Sequence, residues 1–458
     1  MINKKHLSTI LVAILVLGAI LYVGPVTMAW GNKDDSDEDF EWVTANRIGN
    51  PDAEIVLTAN IQRFDTLKTP FDTKKEYIKK AATAWAKEHP NVRIDIEVAP
   101  AGQTSMTMSK IMTQAISGNA PDFAHIDSFW IGRFIDRGIL QPLNDYLSQE
   151  TIDDFYGFTK KVTMRDGKMY AIWAQTDARF LYYRKDWIKN PPKTWDELIE
   201  TALAMKEKHN VHGYLAWLGT WEGAVNGNVW PYFWAQGGRI FDESGRPVIG
   251  EGKNREALIN TLDFLNRLVD TGAAPRMVAS ITSIDPILAE AKANSVAMVA
   301  NGNWFYDMLL ESVDNAEEKW DFVPLPQMKE SQRANSNGGW TYAVLTDDPV
   351  KQELAVSYIM AVLGSKEAMG ERCKVYNYLP TRKSVYKEYP YFADNPVQQR
   401  FAKELKYGHA RPSNSLYGEV SDLVQKELGR ILTGQTTVEK AVDKIQKVAL
   451  QAWKENKR

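Results

Sequence analysis

Between Val92 and Val98 the chain reads Val-Arg-Ile-Asp-Ile-Glu-Val, apolar and charged side chains in strict alternation. A period of two belongs to a strand with one face buried and one face wet. Just before it, Thr73–Glu88 carries Tyr77, Ile78, Ala81, Ala82 and Trp85 at helical spacing and stops short of Pro90. Glu54–Ala59 and Phe123–Ile126 are short runs of strand type, and Thr104–Ser117 is a second helical stretch closed by Gly118-Asn119. Strand, helix, strand, helix, strand in this order predicts a parallel sheet with right-handed crossovers.

The pattern then repeats with different material. Tyr170–Trp173, Phe180–Tyr183, Val296–Ala300, Phe322–Leu325 and Trp340–Leu345 read as strands. Trp195–His209, with Thr194 as N-cap, Leu258–Thr271, Ile284–Asn294 and Lys351–Leu363 read as helices, and the tail from Glu419 to Lys457 is helical with a break near Gly434. At 458 residues the chain exceeds one ordinary core, so an α/β protein of two or more lobes is expected.

Composition changes this picture little. Apolar and charged fractions of 44% and 25% are those of a globular protein, and a net charge of −3 gives no reason to expect nucleic acid as a partner. The 15 Trp and 19 Tyr suit a carbohydrate-handling surface as well as a core. Cys373 is the only cysteine, which rules out an intramolecular disulfide and a cysteine-cluster metal site. His209 and His212 sit in a turn-like segment, so no metal or other cofactor is expected. At the amino terminus Lys4 and Lys5 precede an apolar run from Leu7 to about Val23, with Thr27-Met28-Ala29 as a weak cleavage site. Residues 1–30 read as a signal peptide or an uncleaved membrane anchor, and residues 31–50, with their block Asp34–Asp39, as an acidic linker. The body is therefore expected outside the cytoplasm.

The chain has no G-x-S-x-G elbow, no phosphate-binding P-loop and no G-x-G-x-x-G. A glycosidase's carboxylate pair meets only in space, so motifs do not decide that alternative. Asp127 and Asp177 stand out because each falls at a strand end beside aromatic residues. The most telling run is Val299-Ala300-Asn301-Gly302-Asn303-Trp304. A buried-strand segment ends in Asn and Gly, which tolerate a sharp turn, and an indole follows at once. At the carboxyl end of a strand such an indole can offer a flat platform to the face of a sugar ring; it can equally be a core residue capping a helix.

Several segments, in order, resemble the extracellular solute-binding proteins of ABC importers, in the sugar-binding, maltose-binding-protein-like branch. They include Ser117-Gly118-Asn119-Ala120-Pro121-Asp122, Asp127-Ser128-Phe129-Trp130, Gly138-Ile139-Leu140-Gln141-Pro142-Leu143 and Gly167-Lys168-Met169-Tyr170. Pro192-Lys193-Thr194-Trp195-Asp196-Glu197-Leu198, Ala235-Gln236-Gly237-Gly238, Asn301-Gly302-Asn303-Trp304, Pro324-Leu325-Pro326, Leu379-Pro380-Thr381-Arg382 and Leu432-Thr433-Gly434-Gln435 follow. Two departures are Trp173, where the family often has Pro, and the polar stretch Gln62–Lys74, which is longer than the usual first connection.

The resemblance implies a two-lobe, periplasmic-binding-protein-like fold, each lobe a mainly parallel sheet flanked by helices, joined by a hinge that the chain crosses more than once. Lobe 1 would comprise residues 51–175 and 324–375, and lobe 2 residues 176–323 and 376–458. It implies a binding function without catalysis: a monomer that clamps a carbohydrate between its lobes and delivers it to the ABC transporter permease in the membrane. By matching positions Trp304, Trp130, Asp127 and Tyr417 would contact the sugar. Asp177 and Arg179, on the crossing strand, and Asn301, Gly339 and Trp340, at strand–loop junctions, are further candidates. Trp221 and Trp230 could add a wall or belong to the core. The competing readings are an extracytoplasmic glycoside-active enzyme and a binding protein for a non-sugar solute.

Overall fold

The computed structural model describes residues 42–100 and 104–456. The expected signal or anchor segment, and the acidic block after it, lie outside the described residues. Besides a short hairpin of Met164–Arg165 and Lys168–Met169, the strands are β1 (Arg47–Gly49), β2 (Ile55–Gln62), β3 (Val92–Ala99), β4 (Phe123–Asp127), β5 (Ile172–Trp173), β6 (Arg179–Arg184), β7 (His212–Leu215), β8 (Val296–Gly302), β9 (Trp320–Pro324), β10 (Asn335–Asn337), β11 (Trp340–Val344) and β12 (Gly408–Ala410). The longer helices and those that reach the site are α1 (Asp72–Glu88), α2 (Thr104–Ile116), α3 (Trp195–His209), α4 (Glu222–Asn228), α5 (Trp230–Ala235), α6 (Gly252–Asp270), α7 (Phe305–Ser312), α8 (Lys366–Tyr376), α9 (Tyr417–Leu432) and α10 (Val438–Asn456).

Two sheets carry the architecture. The first has the order β1-β3-β2-β4-β11-β5, the second β9-β6-β8-β7, and β10 pairs with β12 in a small ribbon. β2 runs parallel to β3 and to β4, as the strand–helix order predicts. The sheets as wholes are mixed, not mainly parallel. β11 is antiparallel to β4 and β5, and β6 is antiparallel to β8 and β9. The reason is direction of entry. β4 and β8 end where the two sheets face each other, whereas β6 and β11 begin there and run away. Arg47–Gly49, expected as linker, forms an edge strand on β3.

Local chemistry explains the elements. α1 buries the stripe Tyr77, Ile78, Ala81, Ala82, Trp85 and Ala86 against the first sheet, and its alanines let the backbone approach closely. α3 starts at Thr194, whose side chain accepts from the Glu197 N–H, while the Glu197 carboxylate reaches back to the Lys193 N–H at 2.7 Å. The chain leaves the first sheet at Thr176, whose N–H and C=O both pair with Leu379 at 2.8 and 2.9 Å. The expected lobe bounds would put residues 376–458 with the second sheet, but Val385 and Phe392 pack in the same core as Leu57 and Ile94 of the first. Among the described residues no helix is long and apolar enough to cross a membrane, and no cluster of three His, Cys, Asp or Glu side chains could hold a metal ion.

Candidate ligand cleft

The ends of β4 and β8 and the starts of β6 and β11 converge, and four short segments bring their side chains together. Asp127 closes β4 directly opposite Trp340 of β11. The Gly338 N–H, just before β11, donates to Asp177 Oδ1 at 2.9 Å. Asp177 Oδ2 in turn accepts from Arg179 Nη2 at 2.9 Å. Arg179 pairs across the second sheet with Gly302, so the Asn-Gly-Asn-Trp turn folds back over its guanidinium. Gly302 has to be glycine: a Cβ there would overlap both the Trp304 indole nitrogen and Arg179. Gly339 is constrained in the same way by the Trp173 indole and the Gln175 carbonyl.

From Trp304 the contacts continue. Its ring centroid lies 5.6 Å from that of Trp217, which meets Trp221 edge-on at 5.1 Å. Trp221 precedes α4, whose first residue, Glu222, accepts from Arg411 Nη1 at 3.2 Å. Arg411 Nη2 donates to Asp127, returning to the starting point. The side chains of Asp177, Asn226 and Arg411 all reach Gly338. The path Asp127–Arg411–Glu222–Trp221–Trp217–Trp304–Arg179–Asp177–Gly338–Trp340 is thus a closed circuit with members from both sheets.

Its electrostatics are uneven. Burial pushes both the Asp127 and the Glu222 carboxyls above their ordinary range, and the one Arg411 guanidinium they share does not offset it. Arg411 itself is held above its usual value: burial alone would lower it, but the two carboxylates outweigh burial. Arg179 is almost fully buried and only its Nη2 is engaged; Nε and Nη1 have no protein acceptor. The Trp221 and Trp173 indole N–H groups and the Asn301 amide nitrogen are likewise buried without a partner. The circuit therefore offers aromatic surface, three carboxylates already tied to arginine, and several spare N–H donors.

Comparison with known proteins now decides the family. The sequence profile of the bacterial extracellular solute-binding proteins matches residues 68–369. The chain belongs to that family. A relative in Deinococcus radiodurans, named Probable ABC transporter-binding protein, is 26% identical over 374 residues, covering 78% of this chain and 85% of its own length. The maltotriose-binding protein of Pyrococcus abyssi is 22% identical over 351 residues, or 75% of this chain and 71% of that protein. Among solved structures, maltose-bound T. maritima MalE3 superposes with a TM-score of 0.72 at 24% identity, covering 86% of this chain and 99% of that one. That likeness shows the two-lobe α/β fold.

Within this member of the family the expected residues separate into two groups. Trp304, Asp127, Asp177, Arg179, Gly339, Trp340 and Trp221 lie on or against the circuit. Asn301 lies beside it, its Oδ1 accepting from the Gly302 N–H at 2.9 Å. Tyr417 and Trp230 do not offer a ring face. Both are fully enclosed; the Trp230 indole donates to the Tyr417 hydroxyl at 2.7 Å, and that hydroxyl donates to Glu222 at 2.7 Å. They hold Glu222 from behind. Trp130 is also largely enclosed, with the Arg133 guanidinium 4.9 Å from its ring centre. Sequence reasoning missed Trp217, Glu222 and Asn226. Trp221 and Trp230, expected as a wall or as core, sit at the starts of α4 and α5, and the turn-like segment around His209 and His212 runs into β7, which begins at His212.

Proposed function

We propose that this chain is the extracytoplasmic solute-binding subunit of an ABC transporter and that it captures a neutral sugar or oligosaccharide in the cleft described above. Lobe 1 is assigned to residues 51–175 and 324–375, and lobe 2 to residues 176–323 and 376–458, with the packing of Val385 and Phe392 extending lobe 1 locally. The observation that carries the reading is the combination of the half-buried Trp304 indole with the unpartnered Nε and Nη1 of Arg179 beside it. A sugar has an apolar C–H face and a rim of oxygens, and this pair answers both. Stacking one ring face contributes ~1–2 kcal/mol from area. Each oxygen that accepts from the guanidinium adds roughly 1.5–3 kcal/mol. A few such contacts reach micromolar affinity, about −8 kcal/mol, after the cost of association.

The circuit draws on both sheets, so a ligand lying in it makes contacts in the closed form that it lacks in the open one. That difference is what shifts the equilibrium toward closure and presents the loaded form to the permease. Hydrolysis is disfavoured by the same geometry. Asp127 and Glu222 share Arg411, and Asp177 is held by Arg179 and the Gly338 N–H. The relatives' printed names, which include maltotriose and arabinooligosaccharide binding, support a carbohydrate ligand.

The test is a thermal-shift screen against mono- and oligosaccharides, followed by calorimetric titration of the best ligand. A bound sugar raises the melting temperature by mass action. Trp304→Ala should then weaken binding at least tenfold while the ligand-free melting temperature stays within a few degrees. Unchanged affinity removes Trp304 from the site, and release of shorter saccharides on incubation replaces the binding reading with an enzymatic one.

A further inference from the structure

The connection after β2 carries two large apolar rings that the core does not use. Phe64 and Phe71 are 42% and 40% exposed, yet they contact each other, with ring centroids 6.5 Å apart and planes 27° from parallel. Scattered exposed apolar residues are ordinary; a stacked pair on a single connection is less so.

The pair is held in place. Arg63 Nε donates to the Lys68 carbonyl at 2.9 Å, the Thr66 hydroxyl to the Arg63 carbonyl at 3.0 Å, and the Tyr376 hydroxyl to the Phe64 carbonyl at 2.8 Å. Lys74 Nζ lies 4.3 Å from the Phe71 ring centre and 4.4 Å from that of Tyr376, a cation shared between two rings.

Its position matters most. Lys74 is held down to about 8, chiefly by burial, while Asp65, Glu311 and Asp307 act in the opposite direction. Asp307 is pushed up to about 6, again chiefly by burial, with Glu311 adding to the rise and Lys74 opposing it. Asp307 and Glu311 belong to α7, the helix that Trp304 caps. The Phe71–Lys74 corner reaches this helix through Tyr376: the carbonyl of the next residue, Asn377, accepts from Asn303 Nδ2 at 2.6 Å, one residue before Trp304. Along the α7 axis those carboxylates stand about 5 and 10 Å beyond Trp304. Inward from the rim, Tyr376 lies 6.1 Å from Tyr378, and Tyr378 feels the charge of Asp177.

We propose that Phe64 and Phe71 form an outer subsite that stacks a distal ring of an oligosaccharide whose inner end lies against Trp304, with Asp307 and Glu311 accepting from its hydroxyls. This rests on the sugar-binding reading and specifies it: the ligand is a neutral chain, longer than the inner cleft alone would hold. The rings supply the apolar face, the carboxylates supply acceptors, and Lys74 is covered by two rings.

The experiment titrates the full chain with malto-, arabino- and xylo-oligosaccharides of two to six units. The wild type is compared with a Phe64→Ala/Phe71→Ala double variant and with Trp304→Ala. In the series that binds, wild-type affinity should rise at least fivefold with chain length. The double variant should lose that gain while holding the shortest ligand within twofold of wild type, and Trp304→Ala should weaken every length. A wild type with no length dependence, or a double variant weakened equally at all lengths, overturns the outer subsite and leaves the inner cleft standing. If no member of any series binds the wild type, both readings fall.

Discussion

Two buried arginines, Arg372 and Arg411, behave in opposite ways. Arg372, in α8, is 1% exposed; its Nη2 donates to Asp65 at 2.6 Å and its Nη1 to the Gln175 amide oxygen. Asp65 also accepts from the Tyr342 hydroxyl at 2.8 Å. Burial would raise the Asp65 carboxyl, but Arg372 and these bonds hold it below the usual range. Arg411 is just as enclosed, yet its two carboxylates, Asp127 and Glu222, are both pushed up. The partners of Arg372 all come from the first-sheet side and saturate one acid. Those of Arg411 come from both sides, and one cation serves two acids. Equal burial therefore yields a fixed strut in one place and an incompletely compensated joint in the other.

Removing each cation tests the contrast most severely. Arg372→Met should leave Asp65 buried and unpaired, at a cost of about 3–5 kcal/mol in urea unfolding. Arg411→Met should cost less, about 1–3 kcal/mol, because Asp127 and Glu222, already pushed up by burial, take up a proton more readily than Asp65 does. Its larger effect should be on ligand affinity, at least tenfold by calorimetry. Equal destabilisation by the two substitutions would erase the distinction.

A pH series sharpens it. His125 stacks on Tyr342 at 4.4 Å and approaches Trp340 at 4.7 Å, and burial holds its imidazole down to about 3. The unfolded chain takes up this proton near 6.5 and the folded chain refuses it. Stability from His125 is thus complete above 6.5 and is lost as pH falls toward 3, by up to about 1.4 kcal/mol per pH unit. Asp65, with its lowered value, adds to the loss below its unfolded range. Asp127 and Glu222 act in reverse, since the folded chain protonates them first. His125→Gln should flatten the fall in melting temperature between pH 6.5 and 4; an unchanged slope would assign it to other groups.

The smallest effect concerns Tyr417. Tyr417→Phe removes an acceptor from Trp230 and a donor from Glu222, and should cost about 1–2 kcal/mol in stability. Ligand affinity should stay within threefold. A tenfold loss would restore the direct sugar contact that the motif position suggests.

What could be read in the chain followed the range of the signal. The alternation in β3, the Trp85 stripe of α1 and the Thr194 cap are written in neighbouring residues, and the structure has them within a residue or so. Trp304 was legible for the same reason, because its strand, turn and ring are contiguous. The place of β11 between β4 and β5 was not, since its partners lie more than 160 positions earlier. Glu222 and Arg411 carry no local mark either; each becomes informative only when folding brings residues 127, 222 and 411 together. Tyr417 shows the converse failure: a motif places an aromatic but does not say which way the surrounding core closes over it.

The strand order also sets a schedule. All four strands of the second sheet fall between Arg179 and Pro324, so that sheet can assemble as soon as this single stretch of polypeptide is available. The first sheet contains the earliest strand of the described chain, Arg47–Gly49, but needs Trp340–Val344 to join its two parts. The half that starts first must therefore wait to be finished last. A polypeptide threaded amino end first through a narrow channel would keep this half open until about three-quarters of its length had emerged, a delay imposed by the distance in sequence that its final pairing must close.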